Sequence, residues 1–462
     1  MGSGLREIMI RAAERSASFR ETAGDRPVFP ATHELDALRA GLGALRSEST
    51  DASAVVEQLA DLVEPALVVT PGPRYFGFVV GGATDAATGA DMLAVGWDQN
   101  SFNRFTSPAA AIVEDVAGGW LRTLFGLPAT ASFGFVPGGQ GANTVSLAAA
   151  RHHVLARTGW DVETQGLAGG PQVRIVASME RHVTIDRAVR FLGLGTSNIE
   201  EVASDDNGAI RVDDLERVLA AGPAAPTIVC LQAGNVNTGA CDDFVAAIEV
   251  AHRHDAWVHV DGAFGLWAAA SPSTRHLVAG LDGADSWSAD GHKWLNTPHD
   301  CGYMFCAHPD SHHAAMVHQA AYLTGQGEAG VRSPGDWVME SSRRARGFAT
   351  WAALQQLGSS GVADLIERCC ALARRFAQQL RDVDGIEVVN DVVLNQVLVA
   401  FGDDARTDGV VDHVQRSGVC WMGATTWHGR RLMRISVSNW STTAADVDRS
   451  VAAIVEAHRS MP

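Results

Sequence analysis

The sequence predicts an α/β fold whose central sheet is mostly parallel, with a helical segment before it and a smaller α/β domain after it. Three observations predict this organisation. Apolar residues recur at three-to-four spacing through the first 70 residues. From about residue 105, short β-branched runs alternate with helical segments, and a shorter alternation follows residue 358. The 462 residues suit two or three domains, which we place at 1–70, 71–341 and 342–462.

The N-terminal part is expected to be helical. Residues 1–21 are amphipathic and lack the unbroken apolar stretch of a signal peptide. Two further helical patterns follow, "ATHELDALRAGLGAL" and "ASAVVEQLADLVEPAL". The segment "VVTPGPRYFGFVVGGATD" then predicts a loop, because proline and glycine interrupt the helical periodicity.

The central part is expected to contain the large sheet. The stretch "SFGFVPGGQGANTVSLAAARHHVLA" predicts a strand, a glycine turn and a long helix. Four more runs are typical of buried strands: "QVRIVAS", "TIVCLQA", "AWVHVDGAF" and "GYMFCA". Helical patterns such as "VDDLERVLAAG" and "DDFVAAIEVAHRHD" separate these runs, which is the arrangement of parallel strands joined by helices.

The C-terminal part predicts a second, smaller α/β domain. It opens with two helices, at 342–358 and 361–382. Strands are expected at "IEVVN", "QVLVAF" and "LMRISVSN", with a helix at 408–417 and a last helix from residue 443.

Composition limits the classes of function. The net charge of −17 and the lack of a basic stripe argue against a nucleic-acid partner. Seven scattered cysteines without a C-x-x-C pair favour neither a disulfide scaffold nor a cysteine metal cluster. Because no run of 18 apolar residues occurs, we expect no membrane partner and a cytoplasmic protein.

One residue stands out from this composition. Lys293 is the only lysine beside 35 arginines, and it follows His292 directly. Codon bias of a GC-rich bacterial genome explains the arginines but not the exception. A lysine amine can form a Schiff base with an aldehyde, whereas an arginine stays protonated and cannot. Pyridoxal phosphate is the aldehyde cofactor that needs such a lysine.

This cofactor makes three further demands, and the sequence offers a candidate for each. Its phosphate requires free backbone N–H groups at a helix N-terminus, which residues 138–141 provide. Its ring nitrogen requires a carboxylate, for which Asp261 at a strand end is the candidate. His182 could stack on the ring. Each residue also has a plainer interpretation: a common glycine turn, a turn-capping aspartate and a histidine beside a helix N-cap.

Two other classes of function deserve comparison with this one. A metal hydrolase would use His252, His254 and His259, but strand periodicity places His259 on one face with Asp261 and leaves His254 in a turn. A non-catalytic binding module with this fold is the other alternative. Such a module has little reason to keep its one lysine at this position.

The motifs together resemble the group II amino-acid decarboxylases, the aromatic amino acid, histidine and glutamate decarboxylases of pyridoxal-phosphate fold type I. The resemblance covers most of the chain, and the H-K-W motif is its most specific part. The matching segments are "RYFGFVVGGATDAATGADML", "FNRFTSPAAAIVE", "FVPGGQGANTVSLAAAR", "AGNVNTGACDD", "WVHVDGAFG", "DSWSADGHKWLNTPHDCG" and "LMRISVSNWSTT".

The resemblance implies a fold like that of aspartate aminotransferase, with a seven-stranded sheet, and a role for each matching residue. Lys293 would bind pyridoxal 5′-phosphate as a Schiff base, and His182 would stack on the ring and move protons. The implied cofactor contacts are Gly139, Gln140, Gly141, Asn235, Asp261, Ala263, Asp290, His292 and Lys293. The implied substrate contacts are Phe78, Gly81, Phe102, Tyr322 and Arg434. The family also implies a homodimer with sites at the interface and residues 1–70 clasping the partner.

The chain departs from the family pattern in three places. Gly141 stands where a serine or threonine is common, and Gly81 replaces a pocket threonine of the aromatic decarboxylases. The largest departure is in the segment 320–344, where the family has a tyrosine a few residues before the tryptophan that matches Trp337. The chain has only three tyrosines, at positions 75, 303 and 322, and none stands there.

This departure leaves the outcome of the reaction open. The resemblance implies an L-amino-acid substrate, an external aldimine and a quinonoid, and then α-decarboxylation to an amine. Without the tyrosine as general acid, the intermediate can react with dioxygen and give an aldehyde, as in plant aromatic aldehyde synthases. The alternative is β-elimination from a cysteine conjugate in a biosynthetic pathway, such as secondary metabolism. Tyr322 or His318 could also supply the missing proton.

Overall fold

The computed structural model describes residues 4–318 and 332–461. The chain forms two compact units. One consists of Met1–Gly82, Leu372–Val389 and Val397–Pro462, and the other of Ala83–Ala371 and Asn390–Gln396. The domain boundaries expected near residues 70 and 341 stay a prediction.

Three helices begin the first unit, and their bounds agree with the N-terminal sequence pattern. None of them buries a residue among the described parts of the chain, so each keeps an exposed apolar side. Asp51 caps the third helix by accepting hydrogen bonds from the N–H groups of Ser53 and Ala54. The helices are α1 (Leu5–Glu21), α2 (Thr32–Leu42) and α3 (Ala52–Val63).

The second unit is built on the large sheet, and the predicted mostly parallel α/β class is confirmed. In the described residues this sheet has seven strands in the order β1-β7-β6-β5-β4-β2-β3. Strands β2 to β6 run parallel, whereas β7 runs antiparallel to both of its neighbours. The strands are β1 (Ser132–Val136), β2 (Arg174–Ser178), β3 (Ile199–Val202), β4 (Thr227–Gln232), β5 (Trp257–Asp261), β6 (Ser286–Asp290) and β7 (Gly302–Cys306).

Two of these strands have no counterpart among the strand predictions. The sequence of β6, SWSAD, is fully buried, yet its serines and terminal aspartate hide the apolar run that indicates a buried strand. Strand β3 pairs with β2 at the edge of the sheet and contains two glutamates, which weaken its strand pattern.

Helices surround this sheet, and α6 is the most deeply buried of those described. It packs against five of the strands and against α8 and α11, and its side chains join a buried apolar cluster with Val136 and Ile175. The helices are α4 (Asp85–Trp97), α5 (Pro108–Leu124), α6 (Gly139–Ala156), α7 (Val162–Gln165), α8 (Val183–Phe191), α9 (Val212–Ala221), α10 (Phe244–Arg253) and α11 (Pro309–Met316).

The next helix, α12 (Arg346–Arg381), is broken at Gly358, whose φ of 62° is left-handed. Glycine adopts this conformation without a steric penalty, and the break separates the two helices predicted there. Beyond it lies the smaller sheet, with the order β10-β11-β9-β8. Its elements are β8 (Glu387–Val388), β9 (Gln396–Ala400), α13 (Asp404–Ser417), β10 (Gly423–Trp427), β11 (Arg430–Ser436) and α14 (Ala444–Ser460).

A search of the described helices for a membrane span found none of sufficient length and hydropathy.

Candidate active site

The glycine turn between β1 and α6 is closely packed by backbone and by two side chains. A Cβ atom at Gly138 would lie 2.9 Å from His292 Cε1, and one at Gly139 would lie 2.9 Å from Asp290 Oδ2. The first helical bond of α6 runs from the Ala142 N–H to the Gly138 carbonyl. The preceding N–H groups are therefore available to an anion at the positive end of the helix dipole.

Lys293 lies at the carboxyl edge of the sheet, in a helical turn (Gly291–Leu295) that directly follows β6. Its Nζ atom is 2.9 Å from Asp290 Oδ2, and the Asp290 side chain is only 2% exposed. The other oxygen of Asp290 is buried without a hydrogen-bond partner in the described chain. One oxygen of this carboxylate thus holds the lysine amine beside the glycine turn. The other oxygen can accept a hydrogen bond from a bound group.

His292 completes this edge of the turn. Its Nδ1 atom accepts a hydrogen bond from the Cys301 N–H at 3.2 Å, so the neutral ring carries its proton on Nε2. That Nε2 lies 3.8 Å from Asp290 Oδ1, and the ring stacks on His299 with centroids 4.5 Å apart. Burial lowers the pKa of His292, and the opposing effect of Asp290 does not restore it. His292 is therefore a neutral N–H donor aimed at the glycine turn.

Asp261 ends β5 and is 5% exposed. Its Oδ2 atom accepts a hydrogen bond from Asn143 Nδ2 at 2.9 Å, and its Oδ1 atom accepts one from the Ala263 N–H at 3.2 Å. Burial alone would raise the pKa of Asp261, but the positive charges of His182 and Lys293 hold it below the usual value. The side chain is therefore a buried carboxylate that stays ionised.

His182 is itself the N-cap of α8, whereas its plainer sequence interpretation placed it beside the cap. Its Nδ1 atom accepts a hydrogen bond from the Thr184 N–H at 3.3 Å and lies 2.8 Å from the Thr184 hydroxyl. That hydroxyl is in turn 3.4 Å from Asp261 Oδ2. The capping contact therefore uses Nδ1 of the His182 ring.

Other predicted cofactor contacts have defined places in the same unit. Gln140 donates from Nε2 to the Thr184 carbonyl at 3.3 Å, and the methyl group of Ala263 lies beside Gly139. Asn235 follows β4 and closes its own turn, accepting from the Asn237 N–H at 2.9 Å and donating to the Glu180 carbonyl at 3.2 Å. A cofactor contact of Asn235 stays a prediction.

Each predicted substrate contact that the structure describes lies in one of the two units. Phe102 is buried in the second unit, where its carbonyl accepts from the Gly335 N–H at 2.7 Å. In the first unit, Phe78 has a left-handed φ of 55° and stacks on Trp421, and Gly81 follows in the same loop. Arg434 pairs with Gly423 across β10 and β11. Tyr322 lies outside the described residues, as does the rest of the stretch 320–331.

The structure adds polar residues that were not predicted. Asn143, Thr184 and Ser288 all reach Asp261, with Ser288 Oγ 3.3 Å from Oδ1. Helical spacing offered a signal for Asn143, because it stands one turn after Gly139 and faces the same way. Ser288 faces Asp261 from β6, the strand that the sequence pattern missed.

Histidines of the alternative metal site do not converge. His259 is fully buried and bonded to Asn143 and Ser286, whereas His252 pairs with Asp285. Over residues 4–318 and 332–461, no group of three or more histidine, cysteine, aspartate or glutamate side chains has the geometry to hold a metal ion.

The chain is similar to known proteins over most of its length. The family model for the pyridoxal-dependent decarboxylase conserved domain matches residues 38–402. Tryptophan decarboxylase 1 of Oryza sativa subsp. japonica is 28% identical over 94% of this chain and 90% of its own. For 4-hydroxyphenylacetaldehyde synthase of Rhodiola rosea the identity is 28% over 72% of this chain and 69% of its own. For cysteine sulfinic acid decarboxylase of Homo sapiens it is 26% over 87% and 85%.

A solved structure extends the likeness to the whole fold. Oryza sativa TDC with PLP and tryptamine superimposes with a TM-score of 0.90 at 24% identity, covering 99% of this chain and 98% of that chain. The predicted resemblance in fold is therefore confirmed.

Proposed function

Because the chain belongs to the pyridoxal-dependent decarboxylase family, we propose that it removes the α-carboxylate of an L-amino acid. Members of this family are pyridoxal-phosphate-dependent lyases, and the chain is an enzyme of that class. The observation that carries the proposal is the arrangement of Lys293, Asp261 and the glycine turn at one sheet edge. Lys293 is the only lysine available for the cofactor.

The residues at this edge fit the cofactor. No Cβ could stand at Gly138 or Gly139 without meeting His292 or Asp290, so the backbone there is bare for a phosphate. The oxygen of Asp290 that has no hydrogen-bond partner in the described chain accepts well from a bound group, and Asp261 is an ionised carboxylate. We propose that Gly139, Gln140, Gly141 and His292 bind the phosphate and that Asp261 pairs with the ring nitrogen.

When bound, pyridoxal phosphate supplies an aldehyde carbon for amines and a ring that withdraws electrons from the substrate α-carbon. The residues of the chain supply the rest. Lys293 would hold the cofactor through its amine, whose Nζ atom lies 2.9 Å from Asp290 Oδ2. Asp261 would favour a protonated ring nitrogen, because a buried carboxylate is stabilised by a positive partner. His182 would stack on the ring, with its Nδ1 accepting the hydrogen bond from the Thr184 N–H.

The proton that the α-carbon receives after CO2 leaves decides the product. A positioned acid gives an amine. In this sequence the residues 332–336 before Trp337 are Arg-Ser-Pro-Gly-Asp, and none of them is a tyrosine. A second candidate function is therefore oxidation, in which the amino acid, dioxygen and water give an aldehyde, CO2, ammonia and hydrogen peroxide. This candidate is supported by two kinds of relative that are named as aldehyde synthases, for 4-hydroxyphenylacetaldehyde and for phenylacetaldehyde.

The substrate class is left broad by this proposal. The relatives act by name on tryptophan, tyrosine and cysteine sulfinic acid, which differ in size and charge. We retain Phe78, Gly81, Phe102, Tyr322 and Arg434 as proposed substrate contacts. Phe78 suits an apolar side chain, because this aromatic residue is 62% exposed and lies in a strained backbone position.

We further propose that the enzyme is a homodimer. Large apolar side chains are exposed along α4, α5 and α12 of the second unit, which is unusual for a surface that meets only water. A cavity of about 620 Å³ opens there between the same helices. The N-terminal helices, which bury no residue in the described chain, offer a second apolar surface for a partner. The exposed side chains are Met92, Leu93, Val95, Trp97, Ile112, Val116, Trp120 and Trp351.

A cytoplasmic location is part of the same proposal. All seven cysteines are free thiols, and six of them are buried. Unpaired thiols suit a reducing compartment.

Product analysis tests the proposed function. The purified protein with pyridoxal phosphate should be incubated with L-tryptophan, L-tyrosine, L-glutamate and cysteine sulfinate, with and without dioxygen. An amine and CO2 in both atmospheres support simple decarboxylation. Aldehyde, ammonia and hydrogen peroxide that require dioxygen support the second candidate. Release of a thiol from a cysteine conjugate with the carboxylate retained would instead indicate β-elimination and contradict both.

A further inference from the structure

A buried polar chain connects the interior of the large sheet to Asp261. It begins at Trp257, whose indole N–H donates to Ser286 Oγ at 3.0 Å. Ser286 Oγ lies 3.0 Å from His259 Nδ1, and His259 Nε2 lies 3.0 Å from Asn143 Oδ1. Asn143 Nδ2 then donates to Asp261 Oδ2 at 2.9 Å.

The direction of each bond in this chain is fixed. Asn143 uses its amide nitrogen for Thr184 and Asp261, so the atom that faces His259 is its oxygen. An amide oxygen only accepts, and His259 must therefore carry its proton on Nε2. The neutral ring then accepts at Nδ1, so the Ser286 hydroxyl must donate to it. Burial lowers the pKa of His259 to about 4, which keeps this ring neutral near pH 7.

We propose that His259 and Asn143 are positioning residues that keep Asp261 ionised and aimed at the ring nitrogen of the cofactor. The proposal deepens the function above, since it assumes that pyridoxal phosphate binds at this site. His259, Asn143 and Ser286 have no exposed surface, so water cannot replace a missing member of the chain. Removing any of these side chains therefore leaves its neighbour without a hydrogen-bond partner.

The role of His259 is to prevent the side-chain amide of Asn143 from flipping by 180°, which would exchange its oxygen and nitrogen. A reversed amide would place its oxygen against the Asp261 carboxylate, where two acceptors repel each other. It would also place an N–H group against His259 Nε2–H, where two donors meet. While His259 is neutral with its proton on Nε2, the reversed state is thus unfavourable at both ends. Without that donor, the amide loses the contact that selects its orientation.

The test compares His259→Phe with His259→Gln. Phenylalanine fills the space without a donor, whereas the glutamine amide can place an N–H group where Nε2 stood. Apo protein is titrated with pyridoxal 5′-phosphate, and the dissociation constant is followed by tryptophan fluorescence. The bound cofactor is then titrated with acid and base at its visible absorbance maximum.

We expect His259→Phe to weaken cofactor binding about tenfold, the effect of losing one hydrogen bond to a charged group. Its absorbance midpoint should move about one unit to higher pH. A more basic Asp261 takes the ring proton, and a neutral ring makes the nitrogen joined to Lys293 easier to protonate. His259→Gln should restore both values to near those of the wild type.

The variant Asn143→Asp provides an independent test with the same two measurements. It can be carried out even if the His259→Phe protein does not fold. A carboxylate at this position still accepts from His259 but repels Asp261, so both shifts should exceed those of His259→Phe. The inference would be overturned if both variants, His259→Phe and Asn143→Asp, kept the wild-type dissociation constant for the cofactor and the wild-type absorbance midpoint. If His259→Phe does not fold, the result for Asn143→Asp decides. A wild-type protein that does not bind the cofactor would instead overturn the proposed function.

Discussion

Two aspartates of the same sheet meet their histidines in different ways. Asp285, at the amino edge beside β6, lies 2.7 Å from His308 Nε2 and 3.2 Å from His252 Nε2. It also accepts from the Val258 N–H at 2.7 Å. Asp261, at the carboxyl edge of β5, receives no direct hydrogen bond from a histidine in the described chain, since His259 reaches it only through Asn143.

The difference teaches how one set of residue types gives a structural pair at one edge and a reactive site at the other. Burial would raise the pKa of Asp285, but the hydrogen bonds from its histidines outweigh it and lower the pKa to about 2. The charge of Asp285 is thus balanced by partners that are part of the fold. Asp261 accepts hydrogen bonds from neutral donors, Asn143 and Thr184, and its charge is balanced by the nearby charges of His182 and Lys293, without a direct ion pair to a histidine.

Lys293→Ala should have the largest effect, because it removes the only amine that can bind the cofactor at the carboxyl edge. We expect a loss of turnover of at least about 100-fold. The control is Lys293→Arg, which keeps a positive charge beside Asp290 but cannot form a Schiff base. If the Lys293→Arg variant supported turnover, only the positive charge at this position would be required.

Asp261→Asn should follow, with a loss of turnover of about 100-fold, because the ring nitrogen loses its carboxylate partner. The matched change at the other edge, Asp285→Asn, should leave turnover and the cofactor dissociation constant unchanged. Steady-state kinetics of the two variants measure the contrast directly. Equal losses of turnover would mean that the two edges do not differ in the way described.

Asp285→Asn should instead lower the free energy of unfolding, by about 1 kcal/mol. The value is small because the His252 and His308 side chains are 44% and 38% exposed, and solvent screens such pairs. Urea denaturation provides the measurement. Asp255→Asn is the control, since Asp255 is 84% exposed and pairs only weakly with Arg157. A larger change in the control would contradict the assigned role of Asp285.

The two edges should also lose stability in different ranges of acid pH. A pKa below its unfolded value contributes stability that is present above the unfolded pKa and lost as the pH falls. For His259 that range runs from its ordinary 6.5 down to about 4, and for Asp285 from 3.8 down to about 2. Melting temperatures between pH 7 and 2 should show that His259→Gln flattens the upper range and Asp285→Asn the lower one. A single shared transition in both variants would argue against separate edges.

Much of the carboxyl edge was predictable from the sequence. Asp261 ends a predicted strand and the glycine turn follows another, and parallel strands bring such residues to one edge. Lys293 stood out as the only lysine, although β6 before it was not predicted. The chain of hydrogen bonds from Trp257 to Asn143 was not predictable, because it joins side chains from β5, β6 and α6 whose contact depends on packing. The Asp285 pair was missed for the same reason, since His252 ends α10 and His308 follows β7.

The most direct test of the central claim is borohydride reduction of the protein with bound pyridoxal phosphate, followed by peptide mapping with mass spectrometry. The account predicts one modified peptide, carrying the reduced cofactor on Lys293, with no such peptide from Lys293→Arg. A protein that takes up no cofactor, or one in which the cofactor is fixed to an α-amino group instead, would contradict the account.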